Sequence, residues 1–416
     1  MTQEKLQAPR GTQDVLPEQA PSRLVLEHAA RRILEGAGYE RIETPTFEAT
    51  ELFSRGVGTS TDIVQKEMYT FEDGGGRSLT LRPEGTAPIM RAYLEHGMHT
   101  LPQPVKLWYW ESFFRYERAQ AGRYRQFWQV GAEVIGADDP ASDAELIVLL
   151  NSLLAEVGVR GVELKLGSLG TPATRAAYRE QLIAHLREHS DRLSDEVRER
   201  IDLNPLRAFD ADDAGTKEVM ATAPLLLDFL GEDDAAHFAE VRARLDAAEV
   251  PYVIDPTLVR GLDYYVRTVF EFTSDALGAQ SAVGGGGRYD GLAEQLGGPR
   301  IPACGWAAGI ERMLLSAEPA PQRHAVCDLY VAGSDIVAFT LAEQARRAGL
   351  NVQRELAGRS SKGMLKQASR VGAAYVALVD ATSGAIELKD TETGEQEAVE
   401  SPAAAVARVL KGRHPG

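Results

Sequence analysis

Cysteine is nearly absent from the chain, with Cys304 and Cys327 the only two among 416 residues. A disulfide framework and an all-cysteine zinc site are therefore excluded, and two thiols are typical of a reducing compartment, which we expect to be the cytoplasm. No apolar run approaches the roughly 18 residues that a membrane helix needs. The polar N-terminus has no signal-peptide core, so we expect neither membrane insertion nor secretion.

Positive charge is also in deficit, with 45 Lys+Arg against 61 Asp+Glu and a net charge of −16. Residues 171–250 hold 10 Lys+Arg and 18 Asp+Glu, whereas residues 115–125 and 346–370 carry balances of +3 and +6. Each basic stretch by itself is typical of a solvated surface. Two such stretches on an acidic protein also fit a long polyanionic partner, because nucleic-acid binding depends on local charge.

The length exceeds that of one ordinary domain and predicts two or three. Thr171 as cap and Pro172 in the first turn signal the start of a long helical block, and strand-like sequence returns at 250–252. The predicted divisions are a mixed region over 1–170, a helical insertion over 171–250, the second part of the mixed region over 251–316, a proline-rich linker over 317–324 and an α/β domain over 325–416.

Hydrophobic periodicity predicts the individual elements. A helix is expected over 21–37, and strands are expected over 39–44, 105–110, 113–116, 127–136 and 265–272. After the linker, strands over 329–332, 351–354 and 375–379 alternate with helices over 336–348 and 362–371, followed by two strands around Thr393-Gly394 and a helix from Ser401-Pro402. This alternation predicts a small α/β domain with a mainly parallel sheet.

The predicted strand over 127–136 carries a pattern that favours a ligand pocket. One face is wholly apolar and is expected to pack on a core; its residues are Trp128, Val130, Ala132 and Val134. The opposite face carries Gln129, Gly131 and Glu133 between Phe127 and Ile135. An exposed sheet face would explain the two polar side chains, but Gly131 weakens a strand unless something approaches closely.

Arginine is concentrated in the segment before that strand. Arg115 ends the preceding strand, and Arg118, Arg123 and Arg125 lie in the connecting loop. Because the arginine fork matches phosphate oxygens, this hairpin suits a nucleotide or an RNA end.

Further segments have the character of a polar site. The turn 81–86 contains Glu84 and Thr86, and the stretch 260–265 places Arg260 beside two tyrosines. Each is also compatible with an ordinary turn. The glycine run 284–287 lets a backbone approach a flat ligand, although it lacks the P-loop and dinucleotide spacings. Arg312 falls near a predicted helix N-terminus, where anions bind well.

One motif points to different chemistry. His185-Leu186-Arg187-Glu188-His189 has the H-x-x-E-H pattern of inverted zinc proteases. Two histidines four apart on a helix could share a metal. The helix is charged throughout and lies in the most acidic segment, so we expect no metal there.

Taken in order, these motifs resemble those of class II aminoacyl-tRNA synthetases, and specifically the histidyl-tRNA synthetase family. The resemblance is carried by 10–14, 39–45, 61–64 with 66–69, 81–86, 114–118, 260–265 and 305–312. The stretch Arg260–Tyr265 is the most specific of them, and the helical insertion is covered only weakly, through 204–207. The resemblance implies an α+β catalytic domain built on an antiparallel sheet with flanking helices, the helical insertion and a C-terminal α/β anticodon-binding domain.

The family joins L-histidine to ATP and then passes the histidyl group to the 3′ end of its tRNA. The resemblance implies that Arg115 and Arg260 are catalytic, holding the α-phosphate and the carboxylate from two sides. It implies histidine binding by Glu84, Thr86, Gln129, Glu133, Tyr265 and Tyr289, with Tyr289 closing the pocket. It implies ATP binding by Arg115, Glu117, Arg123 and Arg312, and tRNA binding by Arg118, Gln120, Arg123, Arg359 and Lys362. Mg²⁺ is expected on the β- and γ-phosphates, with no protein side chain assigned as its ligand.

The family also implies a homodimer, with much of the contact made by the region up to Pro45.

Some positions depart from the usual family pattern, namely Thr59-Ser60, Glu111-Ser112, Ala119 and Trp128. Trp128 falls on the apolar face of its strand and is expected to change packing rather than chemistry.

The alternative function is that of catalytically silent relatives that act as regulatory subunits of ATP phosphoribosyltransferase. Those relatives usually lack the C-terminal domain and an intact 260–265 motif, and this chain has both.

Overall fold

The computed structural model describes residues 5–59, 61–203, 205–258, 260–318 and 327–412. The chain forms two compact units, which divide between Ala320 and Pro321. Most of the predicted linker over 317–324 lies outside the described residues. Within the described ranges, no helix has both the length and the apolar character needed to cross a membrane.

The first unit is built on a large sheet. Its strands in chain order are β1 (Glu40–Arg41), β2 (Phe47–Ala49), β3 (Tyr69–Glu72), β4 (Ser78–Leu81), β5 (Val105–Phe114), β6 (Gln126–Ile135), β7 (Val162–Ser168), β8 (Val253–Ile254), β9 (Val266–Ser274), β10 (Ala282–Arg288) and β11 (Ala303–Gly309). Among the described residues, eight of these strands form one sheet in the order β1-β5-β6-β11-β10-β9-β7-β8, and β2-β4-β3 form a smaller one. All pairings from β5 to β7 are antiparallel, and only the edge strands β1 and β8 pair in parallel.

Helices cover both faces of this sheet. They are α1 (Ala20–Gly36), α2 (Thr50–Gly56), α3 (Thr86–Glu95), α4 (Pro140–Glu156), α5 (Pro172–Glu188), α6 (Asp195–Arg200), α7 (Ala214–Met220), α8 (Glu232–Ala247), α9 (Leu292–Gln295) and α10 (Ile310–Ser316). Short turns of other helix types occur as well, including a five-residue π-helix over Ile63–Glu67.

The predicted apolar face of β6 is confirmed. Val130, Ala132 and Val134 are fully buried in a core that also holds Trp108 and residues of α1, α4 and α8, and Trp128 packs against it. The polar face therefore points to the other side of the sheet, as the period of two along a strand requires.

Two predicted strand boundaries were wrong. The strands expected over 105–110 and 113–116 are one continuous strand, β5. The strand expected over 39–44 is only two residues long, because the Glu111 carboxylate accepts hydrogen bonds from the Thr44 amide at 2.7 Å and from its hydroxyl at 3.2 Å. At Thr44 a side chain thus takes the place of the backbone hydrogen bonds between strands.

The helical block begins where the sequence predicts. Thr171 caps α5 by accepting a hydrogen bond from the Thr174 amide at 3.3 Å. Helices α5 to α7 share a buried cluster with the face of the sheet that carries Tyr109, and this cluster includes Tyr178, Leu182 and Tyr265. Helix α8 contacts α4 instead, on the opposite face. The insertion therefore belongs to the same compact unit as the sheet.

The second unit has the predicted alternation of elements. They are β12 (Cys327–Ala332), α11 (Ile336–Arg347), β13 (Val352–Arg354), α12 (Ser361–Arg370), β14 (Ala373–Val379), β15 (Ile386–Asp390), β16 (Gln396–Val399) and α13 (Pro402–Gly412). Within 327–412 the five strands are ordered β13-β12-β14-β15-β16. The β12 pairings are parallel and the β15 pairings are antiparallel, so the sheet is mixed rather than mainly parallel.

Candidate active site

A cavity opens on the polar face of the large sheet. Its walls come from the turn 84–86, the facing sides of β5, β6, β10 and β11, the loop 260–265 and the start of α10. These segments are far apart in sequence, and the antiparallel order of the central strands brings them together. Four of the predicted histidine-binding residues line it, namely Glu84, Thr86, Gln129 and Tyr265, and so do Arg115, Glu117, Arg123, Arg260 and Arg312.

One end of the cavity is strongly cationic. Two of its arginines are anchored by backbone carbonyls: the Arg115 Nε donates to the Pro83 carbonyl at 2.8 Å, and Arg312 donates to the Gly122 and Ala282 carbonyls at 3.0 and 2.6 Å. Arg260 reaches the cavity from another side and pairs with Glu271 on β9. The arrangement fixes guanidinium groups around a shared space.

At this end of the cavity, the positive charges of the arginines outnumber the negative charges of the carboxylates that pair with them. Burial and the neighbouring Arg123 lower the pKa of Arg312. The Glu117 carboxylate lies 2.6 Å from Arg123 and 3.9 Å from Arg115. Because arginine stays protonated in proteins, a cluster of this kind has space and charge for an anion such as a polyphosphate.

The opposite end presents carboxylates and hydroxyls. Glu84 is buried and caps α3, accepting hydrogen bonds from the Thr86 amide at 2.8 Å and the Ala87 amide at 3.0 Å. Burial raises the pKa of the Glu84 carboxyl, although these amides oppose the shift. Both helix-end donors thus hold the carboxylate at the cavity wall, where it can accept from an ammonium group.

Glu133 lies beneath this wall and has no exposed surface. Its carboxylate accepts a hydrogen bond from the Thr86 hydroxyl at 2.9 Å and another from the Tyr289 hydroxyl. Burial raises the pKa of Glu133 to about 8, more than these two hydrogen bonds lower it. The carboxyl group therefore changes charge close to physiological pH.

Tyr289 was expected to close the pocket, but its position differs. The side chain is 1% exposed and lies behind Glu133, outside the cavity lining. Its hydroxyl orients the Glu133 carboxylate instead of covering a ligand. No local pattern predicts this contact, because it joins residues 156 positions apart.

The two glycine features have physical causes other than those expected. A Cβ at Gly131 would lie 2.2 Å from the Tyr109 ring, so the close approach is by a side chain. In the run 284–287, a Cβ at Gly286 would lie 1.9 Å from the Gly305 carbonyl oxygen, which belongs to the neighbouring strand. Two glycines of the run do make room for site residues: a Cβ at Gly285 would lie 3.1 Å from the Arg260 guanidinium, and one at Gly287 would lie 3.0 Å from the Tyr265 ring.

Comparison with known proteins agrees with this architecture. The family profile described as histidyl-tRNA synthetase matches residues 11–313. A histidine–tRNA ligase of Halorhodospira halophila is 48% identical over 408 residues, covering 95% of this chain and 96% of the relative. One from Thermosynechococcus vestitus is 46% identical over 400 residues, covering 94% and 93%.

The chain belongs to the histidyl-tRNA synthetase family.

The crystal structure of apo histidyl-tRNA synthetase from S. aureus has a TM-score of 0.79 at 35% identity and covers 97% of this chain and 100% of that chain. A structure from Bacillus halodurans, described as an ATP phosphoribosyltransferase regulatory subunit/histidyl-tRNA synthetase, has a TM-score of 0.64 at 24% identity and covers 88% and 97%; it shows the fold alone. The first unit is thus a class II synthetase catalytic domain, and the second fits an anticodon-binding domain.

Two cavity residues of this family member escaped the sequence analysis. Tyr109 and Glu271 both line the cavity, and Glu271 pairs with Arg260. Alternation along β5 offered a signal for Tyr109, because the residue opposite Gly131 must share its face. No local signal exists for Glu271, since its role depends on the position of a distant loop.

The departures from the family pattern have local explanations where they are described. Glu111 forms a buried ion pair with Arg82, with 2.5 Å between Oε2 and Nη1. The Trp128 ring lies 5.1 Å from the Arg23 guanidinium, and the Trp128 backbone amide donates to the Glu311 carboxylate at 3.0 Å. Trp128 therefore packs against neighbouring elements and does not contribute to the cavity. Thr59 is described, and Ser60 lies outside the described residues. Nothing in the structure explains Ala119.

The residues predicted to bind tRNA are exposed or half-exposed. Arg118 and Gln120 are exposed on the loop between β5 and β6. In the second unit, Lys362 is exposed on the first turn of α12, whereas the Arg359 Nη1 lies 3.1 Å from the buried Glu355. Arg359 is therefore already engaged inside its own domain, and Lys362 is the freer cation of the two.

The His185–His189 pair lies in the helical insertion. The His185 Nε2 contacts the Val219 carbonyl at 3.0 Å, and the His189 Nδ1 contacts the His185 carbonyl at 3.0 Å. The two rings are 4.7 Å apart. Each ring therefore has a nitrogen directed at a backbone carbonyl, which is how a structural histidine is satisfied.

Proposed function

We propose that this protein is a histidine–tRNA ligase that converts L-histidine and ATP to histidyl-adenylate and pyrophosphate and then transfers histidine to the 3′ end of its tRNA. The observation that carries the proposal is a single cavity whose lining combines fixed guanidinium groups with the buried Glu84 carboxylate and several hydroxyls. The cationic end suits the phosphates of ATP, and the polar end suits the amino acid.

The first step is an in-line displacement at the α-phosphorus. A histidine carboxylate oxygen forms a bond to phosphorus while the bond to pyrophosphate breaks, and no general base is needed because the carboxylate is already ionised. Arg115 and Arg260 both line the cavity and would hold the α-phosphate and the carboxylate between them. Arg312, with Glu117 and Arg123 nearby, would hold the outer phosphates.

The second step uses the tRNA. A hydroxyl of the terminal ribose attacks the activated carbonyl carbon and gives up its proton, and AMP leaves with the electron pair of the bond between that carbon and the phosphate oxygen. Arg118, Gln120 and Arg123 lie on the loop between β5 and β6, of which Arg123 lines the cavity, and would position the 3′ end. Lys362 and Arg359 of the second unit would contact the anticodon arm, as the net positive charge of 346–370 favours.

Selectivity for histidine follows from the polar end. Glu84 and Gln129, with Thr86 beside them, would receive the α-ammonium group. Glu133 and Tyr265 would pair with the ring nitrogens. A site that hydrogen-bonds both ring nitrogens rejects apolar analogues strongly, because its own buried polar groups would then remain unpaired.

Mg²⁺ is the expected companion of ATP. Within the described residues, no group of three or more His, Cys, Asp or Glu side chains could hold a metal. Mg²⁺ commonly binds through one or two carboxylates and substrate phosphates, and the cavity offers Glu117 and Glu271 for this. The residues therefore fit an ion held mainly by the nucleotide, where it would neutralise phosphate charge.

We further propose a cytoplasmic homodimer. Exposed apolar side chains on and before α1 support this, including Leu16, Leu24 and Val25, which are 50%, 54% and 59% exposed. They lie in the region up to Pro45 that the family resemblance assigned to the dimer contact. Sedimentation would test it, since a fully active monomer would contradict the proposal.

The alternative of a silent regulatory subunit fits less well. The curated relatives compared above are histidine–tRNA ligases along nearly their whole length. The Arg260–Tyr265 stretch and the C-terminal unit, which such subunits usually lose or degrade, are both present. No observation in the cavity favours the alternative.

Histidine-dependent ATP–pyrophosphate exchange tests the proposed function. Exchange with histidine and with no other amino acid is expected. An Arg312→Ala variant is expected to raise the KM for ATP, while Arg187→Ala, an exposed arginine of the insertion, serves as the matched control. A folded protein that shows no exchange with histidine would refute the assignment.

A further inference from the structure

Arg125 differs from the other arginines of the segment 115–125. Arg115 and Arg123 line the cavity, and Arg118 is exposed on the loop between β5 and β6. Arg125 is half-buried at the end of that loop and is not among the described residues that line the cavity. The sequence suggested phosphate binding for this group of arginines, so the guanidinium of Arg125 needs a different explanation.

The side chain of Arg125 is held by three neighbours. Its guanidinium carbon lies 3.9 Å from the centre of the Tyr116 ring. Its Nε donates a hydrogen bond to the Glu117 carbonyl at 3.3 Å, and its Nη1 donates to the Arg10 carbonyl at 3.5 Å. A planar guanidinium can stack on a ring and donate to two acceptors at once, whereas a lysine ammonium is a point charge. Because both acceptors are backbone carbonyls, these contacts fix the course of the chain.

The backbone of Arg125 joins the same segments. Its amide donates to the Gly11 carbonyl at 2.7 Å, and its carbonyl accepts from the Arg115 amide at 2.9 Å. On the next residue, the Tyr116 amide donates to the Glu67 carbonyl at 2.7 Å. The N-terminal segment, both ends of the loop and the end of the π-helix are thus hydrogen-bonded together at the base of the loop.

The turn 9–12 is shaped to meet Arg125. The Pro9 carbonyl accepts hydrogen bonds from the Thr12 amide at 3.0 Å and from the Thr12 hydroxyl at 2.8 Å. Gly11 has a φ of +87°, and a Cβ there would lie 2.8 Å from the Cγ and Cδ atoms of Arg125. A glycine is therefore needed at position 11 both by the left-handed backbone and by the close approach of Arg125.

Two residues that Arg125 holds belong to the cavity. Arg115 and Glu117 flank Tyr116 in the sequence, and both line the cavity. The Arg115 amide and the Glu117 carbonyl are the groups that bond to Arg125. A change at Arg125 would therefore shift the backbone that carries Arg115, which is proposed to hold the α-phosphate. A misplacement of about 1 Å in such a group can cost about 100-fold in rate.

We propose that Arg125 is a positioning residue. With the turn 9–12, it sets the backbone on both sides of Tyr116 so that Arg115 and Glu117 are presented to ATP, and it binds no phosphate itself. The inference rests on the proposed function and deepens it, because it assigns part of the adenylation geometry to a residue outside the cavity. It also gives the N-terminal segment a part in the first step of the reaction.

The first test is Arg125→Lys, which keeps the positive charge and removes the planar fork. We expect the kcat of histidine-dependent pyrophosphate exchange to fall by about 10- to 100-fold, with the KM for histidine within about twofold of the parent. In an Arg115→Ala background the same change should cost less than about threefold, because residues that act through one another are not additive. Urea unfolding of each variant checks that the proteins compared are folded.

Gly11→Ala tests the same contact without altering any charge. The added Cβ displaces the Arg125 side chain, so this variant should show the same kcat loss as Arg125→Lys. Arg242→Lys is the matched control. Arg242 is also half-buried and its guanidinium carbon lies 5.2 Å from the Phe238 ring, but it is on α8 and is not among the described residues of the cavity lining. This control should keep the kcat of the parent.

Limited proteolysis gives a readout that does not depend on catalysis. Trypsin can cut the loop after Arg118 and after Arg123, and cleavage of a folded protein follows local opening. A loosened base of the loop should make cleavage at these two sites several times faster in Arg125→Lys and Gly11→Ala than in the parent. Arg242→Lys should be cut at the parent rate.

Three results would overturn the inference. Retained kcat in Arg125→Lys would refute the positioning role, and a raised KM for ATP beside it would indicate a direct phosphate contact instead. An equal loss in the parent and in the Arg115→Ala background would show that Arg125 does not act through Arg115. Unchanged trypsin cleavage in Arg125→Lys and Gly11→Ala would show that the base of the loop does not depend on this contact.

The proposed function can fail separately. If the unmodified protein shows no exchange with histidine, the histidine–tRNA ligase assignment is wrong. The trypsin cleavage rates then decide by themselves whether Arg125 and the turn 9–12 hold the loop.

Discussion

Replacing Glu133 by glutamine should make the protein more stable at high pH. Glu133 has no exposed surface, and burial raises its pKa from the usual 4.5 to about 8. Below pH 4.5 the carboxyl is protonated in both the folded and the unfolded state, so it carries no ionisation penalty. As the pH rises from 4.5 through 8, the unfolded chain loses its proton first, and the folded state becomes progressively less stable.

The magnitude follows from the size of the shift. At 1.36 kcal/mol for each pKa unit, the rise from 4.5 to about 8 corresponds to roughly 5 kcal/mol between pH 4.5 and pH 9. Glutamine has a similar shape and does not ionise, and both hydroxyls that contact Glu133 can rotate to serve an amide. The difference in unfolding free energy between the Glu133→Gln variant and the parent should therefore grow by about 3–5 kcal/mol from pH 5 to pH 9.

The chain provides a convenient probe for this measurement. All four tryptophans, Trp108, Trp110, Trp128 and Trp306, lie in the first unit together with Glu133. Urea unfolding followed by tryptophan fluorescence thus reports on that unit, and subtraction of the parent at each pH cancels the other titrating groups. A stability difference that stays constant from pH 5 to pH 9 would refute a raised pKa at Glu133. The variant should also lose histidine activation.

Further outcomes can be checked separately. Arg260→His should reduce pyrophosphate exchange at least 100-fold, in line with the loss of a charge-stabilising donor, while histidine still binds; near-normal exchange would contradict its role. Lys362→Ala should weaken tRNA binding and reduce the salt slope by about one without affecting exchange; equal loss of both would count against an anticodon contact. Gly131→Ala should cost about 1–3 kcal/mol by overpacking, because its Cβ would meet the Tyr109 ring at 2.2 Å, and unchanged stability would show that the ring can move.

The elements that the sequence predicted best are those with strong local patterns. The helix expected over 21–37 is found at Ala20–Gly36, and the strand expected over 127–136 is found at Gln126–Ile135. The alternation of apolar residues on that strand correctly predicted which face packs on the core. Helix periodicity, strand alternation and capping residues depend on neighbours within a few positions, so a single sequence contains them.

Predictions failed where a distant side chain intervened. The strand expected over 39–44 shortened because Glu111 takes the hydrogen bonds of Thr44. Gly131 was read as space for a ligand, and the space is filled by Tyr109. The sheet of the second unit was expected to be mainly parallel, but β15 and β16 return as an antiparallel pair. The contacts of Glu111 with Thr44 and of Tyr109 with Gly131 join residues that are far apart in the sequence.

The sequence by itself determined the order of the elements and the apolar face of β6, and the motifs it shares with the histidyl-tRNA synthetase family predicted several cavity-lining residues, among them Glu84, Arg115, Arg260 and Arg312. Only the tertiary structure decided the pairing of Arg260 with Glu271, the position of Tyr289 behind Glu133 and the contact of Arg125 with the turn 9–12. The physical reason is burial. Whether a polar group is paired, protonated or available to a ligand depends on the atoms packed around it, and those atoms come from strands that meet only when the antiparallel sheet has formed.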